Sequence, residues 1–367
     1  MNRTALRRVA APGIAALALG LAVSACGASN ENGGGSSSDS KLSGTLKGAG
    51  SSAQEAAMDA WRAGFQTDNS KVTVNYDPAG SGAGVEQFNA GAIDFAGSDS
   101  ALDAEKGEVD AAKQRCGGVN ALEVPNYVSP IAVVYNLQGV DKLQLSPATL
   151  GKIFSGEIKK WNDPAIAAEN DGVTLPGDAI APVHRSDESG TTKNFTDYLE
   201  KASGGSWKFP ADKVWPIKSG EAAAQTSGMV AAVKAGKGSI GYADESQATD
   251  LQQASIKVGD AYVAPSAEGA AKALEASPVD DSRTEGDLAV KVDRTTTEPG
   301  AYPLMLTSYV IACPTYDAAK ADLVKGFLSY VVSTDGQSKA ADNAGSAPLP
   351  SSLQQKAAEI IDGIKAK

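Results

Sequence analysis

Short apolar segments with strand character alternate along the chain with segments whose apolar positions recur at helical spacing. Residues 72–76 alternate β-branched and polar side chains, while residues 131–135 and 304–312 are nearly continuous apolar runs, so all three predict strands. Residues 53–65 and 318–332 repeat apolar side chains three and four positions apart and predict helices. Strands that alternate with helices are typical of α/β folds, for which we expect mainly parallel sheets.

The start of the chain has the pattern of a secretory signal peptide. Arg3, Arg7 and Arg8 precede an apolar run at residues 9–25 that ends in small side chains. The run is shorter than the roughly 20 residues that a membrane-spanning helix needs. We therefore expect residues 1–25 to be a leader that is removed from the mature protein.

The leader ends in Val23-Ser24-Ala25-Cys26, which resembles a bacterial lipobox. In a lipobox the cysteine becomes the lipidated first residue, so Cys26 is predicted to anchor the chain to the extracytoplasmic face of the cell membrane. Ordinary secretion, with Cys26 buried or paired, is the alternative. Residues 26–40 are rich in glycine and serine and predict a flexible tether.

About 340 residues remain after the leader, enough for two domains. Without the three leader arginines, 30 basic residues stand against 44 acidic ones, a net charge of −14. This charge argues against a nucleic-acid partner. Any anion site must therefore rely on local donors.

The cysteine and histidine content limits the possible covalent and metal chemistry. With Cys26 lipidated, Cys116 and Cys313 remain, and in an oxidising compartment we predict that they pair. Two separate buried thiols are the alternative. Three cysteines and one histidine, His184, do not make a typical zinc site, and no calcium-loop pattern occurs. We expect no metal and no cofactor.

Three turns rich in glycine and hydroxyl side chains precede predicted helices. Residues 48–53 and 80–84 each follow a predicted strand, and residues 185–192 place Arg185 before Ser189-Gly190-Thr191. A helix start offers unpaired N–H groups and the positive end of the helix dipole to an anion. Arginine adds a planar fork of donors that matches phosphate or carboxylate oxygens.

Each turn also has a structural interpretation that stays open. Ser52 and Glu55 match the capping-box pattern, and Ser81 fits a flexible turn. Arg185 alone would be a solvated surface charge. Asp187 is predicted to pair with Arg185, with a solvated loop charge as the alternative, and His184 is predicted to be structural.

Asp99 lies just past a short predicted strand at residues 93–96, the usual position of site residues in α/β sheets. A carboxylate beside anion donors is favourable when the bound anion carries a proton that the carboxylate accepts. An N-cap for the segment from residue 101 onward is the alternative.

The order of these motifs resembles the phosphate-binding lipoproteins of bacterial ABC phosphate importers, the PstS family. The resemblance covers most of the mature chain. It rests on GAGSS at 48–52, YDPAGSG at 76–82, DFAGSD at 94–99, GEIKKW at 156–161 and RSDESGT at 185–191.

The resemblance implies a type II periplasmic-binding-protein fold, in which two α/β domains joined by a two-strand hinge hold the ligand in the cleft. Domain I would comprise residues 41–128 and 303–367, and domain II residues 129–302. The implied function is capture of inorganic phosphate, without catalysis, by a lipid-anchored monomer. The closed protein would then dock on the membrane subunits of an ABC permease.

The resemblance also implies the binding residues by position. The first domain would provide Ser52, Ser81 and Asp99, with the N–H of Ala53, and the second Arg185, Ser189, Gly190 and Thr191. The family often has threonine-phenylalanine where this chain has Ser52-Ala53. Serine keeps the hydroxyl, and a backbone donor does not depend on its side chain.

Three other functions are kept as alternatives. A phosphatase or serine hydrolase would use the serines and His184, but no Gly-x-Ser-x-Gly elbow is present. A binding protein for another oxyanion is disfavoured by Asp99 when that ligand is fully ionised. A surface adhesin or sensor would retain the fold and add a role.

Overall fold

A computed structural model of the protein describes residues 42–367. The predicted leader, the tether and Cys26 lie outside the described residues. The strands are β1 (Gly44–Gly50), β2 (Val72–Asp77), β3 (Phe95–Ser98), β4 (Leu122–Asn136), β5 (Gln144–Leu145), β6 (Ala181–Arg185), β7 (Glu221–Ala223), β8 (Ser239–Asp244), β9 (Gln252–Val258), β10 (Ala261–Val263), β11 (Met305–Ala312), β12 (Thr315–Tyr316) and β13 (Lys365–Ala366).

The helices are α1 (Glu55–Asp68), α2 (Ser81–Asn89), α3 (Glu108–Arg115), α4 (Pro147–Phe154), α5 (Pro164–Ala167), α6 (Gly190–Ala202), α7 (Gln225–Ala235), α8 (Ala267–Glu275), α9 (Ala318–Val332), α10 (Thr334–Ala344) and α11 (Ser351–Asp362). A short 3₁₀ turn, Glu245–Gln247, follows β8. Within residues 42–367, no helix combines the length and apolar content that crossing a membrane requires.

The main sheet is mixed, with the strand order β2-β1-β3-β11-β4-β8-β6-β7. β1 pairs in parallel with β2 and β3, and β6 pairs in parallel with β7 and β8. In the centre, β11 is antiparallel to β3 and β4, and β4 is antiparallel to β8. Mainly parallel pairing was thus a correct expectation for the outer strands and wrong for the centre, where strands from distant parts of the chain meet.

β4 links the two halves of the sheet. Its residues 122–130 pair with β11, and its residues 131–136 pair with β8. Every residue of β4 except Asn136 is buried. A strand covered on both faces requires an apolar sequence without polar alternation, which explains the run at 131–135.

Aromatic side chains pack the core beside each half. Phe327 of α9 contacts Phe65 of α1 and Phe95 of β3, both at 5.4 Å between ring centroids. Near β8, Phe195 of α6 stacks on Tyr242 at 4.2 Å. Aromatic pairs of this kind contribute about 0.5–1.5 kcal/mol each beyond area burial, so they fix the helices on the sheet.

Cys116 and Cys313 form a disulfide, with their Cα atoms 5.2 Å apart. The predicted pairing is confirmed, and the alternative of two separate thiols is wrong. The bridge joins the end of α3 to the end of β11 across 197 residues of sequence.

Candidate functional site

The segments that the sequence singled out converge where strands end and helices begin. Asp99 directly follows β3, Arg185 ends β6, and Ser81 and Gly190 are the first residues of α2 and α6. The carboxyl ends of strands are the usual ligand sites of α/β sheets. A hydrogen bond joins two of the segments directly, because Thr191 Oγ1 donates to Asp99 Oδ2 over 3.2 Å.

Asp99 is 2% exposed, and both of its carboxylate oxygens accept hydrogen bonds from hydroxyl groups. Oδ1 accepts from Ser51 and, over 2.7 Å, from Ser308. Oδ2 accepts longer bonds, 3.4 Å from Ser81 and 3.2 Å from Thr191. Hydroxyl bonds of this length are weak, so Oδ2 keeps the capacity to accept an O–H from a ligand.

The ionisation of Asp99 depends on its donors. Burial raises the pKa of this carboxyl above its ordinary value, while the hydrogen bonds from Ser51 and Ser308 and the charge of Arg185 oppose that rise. A ligand O–H that donates to Oδ2 would act in the same direction as the serines and stabilise the charged form.

Arg185 is 3% exposed and is held in place by Asp187. Its Nε donates to Asp187 Oδ1 over 2.8 Å and its Nη2 to Oδ2 over 2.5 Å, a bidentate pair that fixes the guanidinium plane. Burial favours a higher pKa for Asp187, but the hydrogen bond and charge of Arg185 outweigh it and lower the pKa below its ordinary value. The arginine therefore faces the site in one orientation.

Ser52 joins Arg185 to the start of α7. Its Oγ accepts from Arg185 Nη2 over 3.2 Å and from the Thr226 N–H over 3.1 Å. Helix α1 begins at Glu55, and its N-cap is Gln54, which makes no side-chain cap bond. The capping-box interpretation of Ser52 is therefore wrong, because its hydroxyl bonds to Arg185 and Thr226 and not to the start of α1.

The other capping interpretations have different outcomes. Ser189 caps α6, because its Oγ accepts from the Thr192 N–H over 3.2 Å. Asp99 caps no helix, since the next one, α3, begins at Glu108. Ser81 belongs to α2 rather than to a flexible turn.

Gly190 lets the start of α6 lie directly against Ser81 and Asp99. A Cβ at this position would stand 2.7 Å from Ser81 Oγ and 2.8 Å from Asp99 Cβ, closer than real Cβ contacts allow. The N–H groups of Gly190 and Thr191 belong to the first turn of α6, where helical amides have no partner within the helix. The site thus adds backbone donors to its hydroxyl and guanidinium donors.

His184 has the surroundings of a structural side chain, as expected. Its ring stacks on Trp215 at 5.3 Å between centroids, and its Nδ1 lies 2.9 Å from the Arg185 carbonyl oxygen. No group of three or more His, Cys, Asp or Glu side chains within residues 42–367 is arranged to hold a metal ion.

Sequence reasoning missed several residues that contact the predicted set: Ser51, Asn194, Thr226, Gln247 and Ser308. Asn194 Nδ2 donates to the Asp99 carbonyl over 2.6 Å, and Gln247 Nε2 donates to the Ser52 carbonyl over 2.6 Å. Of the five, Ser51 carried a usable signal, because it lies in the first glycine-serine turn. Ser308 is a hydroxyl within a buried strand, and that position alone does not indicate its partner.

Known proteins share both the sequence and the fold of this chain. Residues 35–335 match the family model of the PBP superfamily domain. Phosphate-binding protein PstS 3 of Mycobacterium leprae is 37% identical, covering 96% of this chain and 97% of the relative. Phosphate-binding protein PstS 3 of Mycobacterium tuberculosis is 39% identical over 94% of this chain and 95% of the relative. This chain belongs to the PstS family.

A solved structure supports the fold of this PstS-family protein. The high-affinity periplasmic phosphate-binding protein PfluDING, solved with bound phosphate, superimposes with a TM-score of 0.68 at 22% identity. The match covers 88% of this chain and 99% of that one. The chain has the type II periplasmic-binding-protein fold, as the motif order predicted.

Proposed function

We propose that this protein is an extracytoplasmic solute-binding protein that captures inorganic phosphate in a cleft and delivers it to an ABC permease. The observation that carries the proposal is that a buried carboxylate, Asp99, and a buried guanidinium, Arg185, lie near each other in one hydroxyl-lined site. Membership of the PstS family supports the same ligand. The role is binding and transport rather than catalysis.

The proposed phosphate ligands combine three kinds of donor. Arg185 provides a charged fork, and helix starts provide backbone N–H groups, which together suit a tetrahedral anion. The full set is Ser52, Ala53, Ser81, Asp99, Arg185, Ser189, Gly190 and Thr191. Asp187 is not in this set, but its two hydrogen bonds from Arg185 fix the orientation of the guanidinium.

Asp99 selects the anion by its protonation. Near neutral pH phosphate keeps at least one proton, while sulfate keeps none. A phosphate O–H donates to the Asp99 carboxylate. Sulfate has no O–H, so a sulfate oxygen would face a carboxylate oxygen, and these two buried acceptors would both lack a donor. Sites with such a buried polar demand discriminate by roughly 10⁴–10⁵.

Closure of two lobes encloses the ligand. Residues 41–128 with 303–367 form domain I, and residues 129–302 form domain II. The contacts of Arg185 with Ser52 and of Thr191 with Asp99 join residues from these two parts of the chain, so the proposed ligand set draws on both. Phosphate that bridges both sets favours the closed state, as a ligand-driven hinge requires.

The protein acts as a monomer held at the cell membrane through a lipid on Cys26. The support is the lipobox pattern, together with a Gly/Ser tether at residues 26–40 long enough to let the domains move. Metabolic labelling with a fatty-acid analogue tests the anchor, and Cys26→Ala is expected to abolish the label and release the protein from the membrane.

Calorimetric titration of phosphate and sulfate tests the proposed ligand and the role of Asp99 together. The native protein is expected to bind one phosphate and to reject sulfate by at least roughly 10⁴. Asp99→Asn is expected to lose most of this discrimination, because an amide can donate to sulfate. Rejection that is unchanged in the variant removes Asp99 from this role, and the absence of phosphate binding overturns the function.

A phosphate-ester hydrolase remains the alternative function. His184 is engaged by Trp215 and by the Arg185 carbonyl, which disfavours it as a general base. Turnover of a chromogenic phosphate ester by the purified protein would establish the alternative.

A further inference from the structure

The two oxygens of the Asp99 carboxylate have different surroundings. Oδ1 accepts from Ser51 and, over 2.7 Å, from Ser308, whereas the bonds to Oδ2 are 3.2 and 3.4 Å long. We propose that Ser51 and Ser308 are positioning residues that occupy Oδ1, aim Oδ2 at the ligand and keep the carboxylate charged. The inference rests on the phosphate function proposed above and adds to it the residues that set anion selectivity.

The surroundings of Ser51 direct its proton toward Asp99. Ser51 is fully buried, and its Oγ accepts from the N–H of Ala53 over 3.1 Å and from that of Gln54 over 3.4 Å. A serine hydroxyl has one proton and two lone pairs. The Ala53 N–H, proposed above as a phosphate donor, is shared with Ser51 Oγ in this arrangement. Because N–H groups approach the lone pairs, the Ser51 proton is the part left to donate to Asp99.

Ser308 lies beside an irregularity in the pairing of β11 with β4. It is fully buried in β11, and the pairing of β11 with β4 shifts register between Ser308 and Tyr309. The extra residue, Asn126, belongs to β4, so the irregularity faces Ser308 from the neighbouring strand. A buried hydroxyl is costly without a hydrogen bond, and the carboxylate oxygen supplies one.

Other charged and titratable groups surround Asp99. By element they are Arg185 of β6, Tyr76 of β2, Asp244 of β8 and Arg294, whose Nη2 reaches Asp99 through the Asn194 amide. Substituting Ser51 or Ser308 leaves these groups in place. A change in the ionisation of Asp99 can then be assigned to the lost hydroxyl.

Removal of either hydroxyl shifts Asp99 in a direction that can be measured. Burial raises the pKa of Asp99, and the bonds from Ser51 and Ser308 are the first two influences that oppose it. Without one of them Asp99 takes up a proton at higher pH and becomes an O–H donor. A donor at this position can form a hydrogen bond to sulfate. The rejection of sulfate would therefore be lost at a higher pH in the variant than in the native protein.

Sulfate is the suitable probe because it stays fully ionised over the working range, whereas phosphate changes its own protonation. Sulfate affinity is measured by calorimetry as the pH is lowered from about 8 to about 5, for the native protein, Ser51→Ala and Ser308→Ala. Ser239→Ala is the matched control. Ser239 is also fully buried, but its hydroxyl donates to the Val233 and Gly236 carbonyls.

In the native protein, sulfate binding should strengthen as the pH falls, because Asp99 takes up a proton and becomes a donor. Loss of one hydrogen bond to a charged group should raise the onset of this strengthening by about one to two pH units in each of the two variants. Ser239→Ala should keep the native onset. Where an alanine variant does not fold, Ser51→Cys or Ser308→Cys keeps the volume with a weaker donor and should show the same upward shift.

Two results would overturn the inference, and they can be told apart by whether the native protein binds phosphate. A native onset in both site variants, with phosphate still bound at pH 8, would show that the serines do not control Asp99. Failure of the native protein to bind phosphate would instead remove the proposed function, and this inference with it.

Discussion

Asp244 is a buried residue whose two carboxyl oxygens differ in their hydrogen bonding. Its Oδ1 accepts from Tyr127 over 2.9 Å and from Ser246 over 2.5 Å, while Oδ2 has no hydrogen-bond partner among the described residues. Burial raises the pKa of Asp244 to about 7, although the hydroxyl donors oppose that rise. The charged form of this residue therefore destabilises the folded state.

The stability of the unliganded protein should depend on this residue near neutral pH. Because the folded pKa is raised, the folded state binds the proton more tightly, and the free energy of unfolding increases as the pH falls through about 7. The Asp244 contribution between pH 8 and pH 6 is about 1.4 kcal/mol. Denaturant unfolding of the native protein and of Asp244→Asn measures it.

The asparagine variant keeps the shape and the Oδ1 acceptor but does not titrate. Glu123, whose pKa burial raises to about 8, titrates in the same range in both proteins. The difference between the two proteins therefore reports the titration of Asp244 together with its repulsion from Asp99. Identical pH slopes for native and variant would contradict the prediction.

Single residues were predictable where their chemistry was unusual for their position. Arg185 before a glycine-hydroxyl turn and Asp99 after a strand stood out, and in the structure they lie close enough for the charge of Arg185 to act on Asp99. Ser308 did not stand out, because a lone hydroxyl in a buried strand gives no indication of its partner. Its hydrogen bond to Asp99 spans 209 positions of sequence.

Helix α6 approaches the site so closely that its first residue has no room for a side chain. Gly190→Ala would place a Cβ 3.0 Å from the Asp99 backbone nitrogen and nearer still to Ser81 Oγ. The helix start must then move away, which separates its N–H donors from Asp99 and Ser81. Calorimetry should find phosphate affinity lowered by at least roughly tenfold, or about 1.4 kcal/mol.

Gly228 in α7 provides a matched control. A Cβ there meets its nearest atoms at 3.9 Å, which is ordinary van der Waals contact. Gly228→Ala should leave phosphate affinity unchanged and raise stability by about 0.5–1 kcal/mol, as expected within a helix. Equal affinities of the two glycine variants would show that α6 need not approach so closely.

Elements were predictable from local periodicity, whereas their pairing was not. The runs at 131–135 and 304–312 were recognised as strands, and the structure has β4 and β11 there. Nothing in the composition of these runs indicates that β11 pairs antiparallel with residues 122–130 of β4 over eight positions. That pairing forms between segments about 180 positions apart, and no local pattern encodes such a distance.

Two ion pairs connect α3 to the segment around residue 213. One starts from the first residue of α3 and the other from the loop just before it. Lys213, only 1% exposed, donates to both carboxylate oxygens of Glu108 over 2.6 and 2.8 Å. Nearby, Lys106 pairs with Asp212 over 2.7 Å, with side chains 43% and 33% exposed. In the proposed division, both pairs cross from domain I to domain II.

The buried pair should matter to closure and the exposed pair should not. Glu108→Gln leaves a buried ammonium without its counter-charge, and the free energy of unfolding should fall by about 3 kcal/mol. Phosphate release, followed by stopped-flow, should also become faster. Lys106→Gln should change stability by less than about 1 kcal/mol. Equal effects of the two variants would contradict this difference between the pairs.

The position of β11 constrains how the chain is made. This strand lies between β3 and β4, yet it is formed by residues 305–312, near the end of the sequence. The first half of the sheet therefore lacks its central strand, and Cys116 its disulfide partner, until almost the whole polypeptide has been synthesised. With the export signal that the sequence predicts at residues 1–25, this delay would be useful, because a nascent chain that cannot complete its fold in the cytoplasm can still pass through a translocation pore.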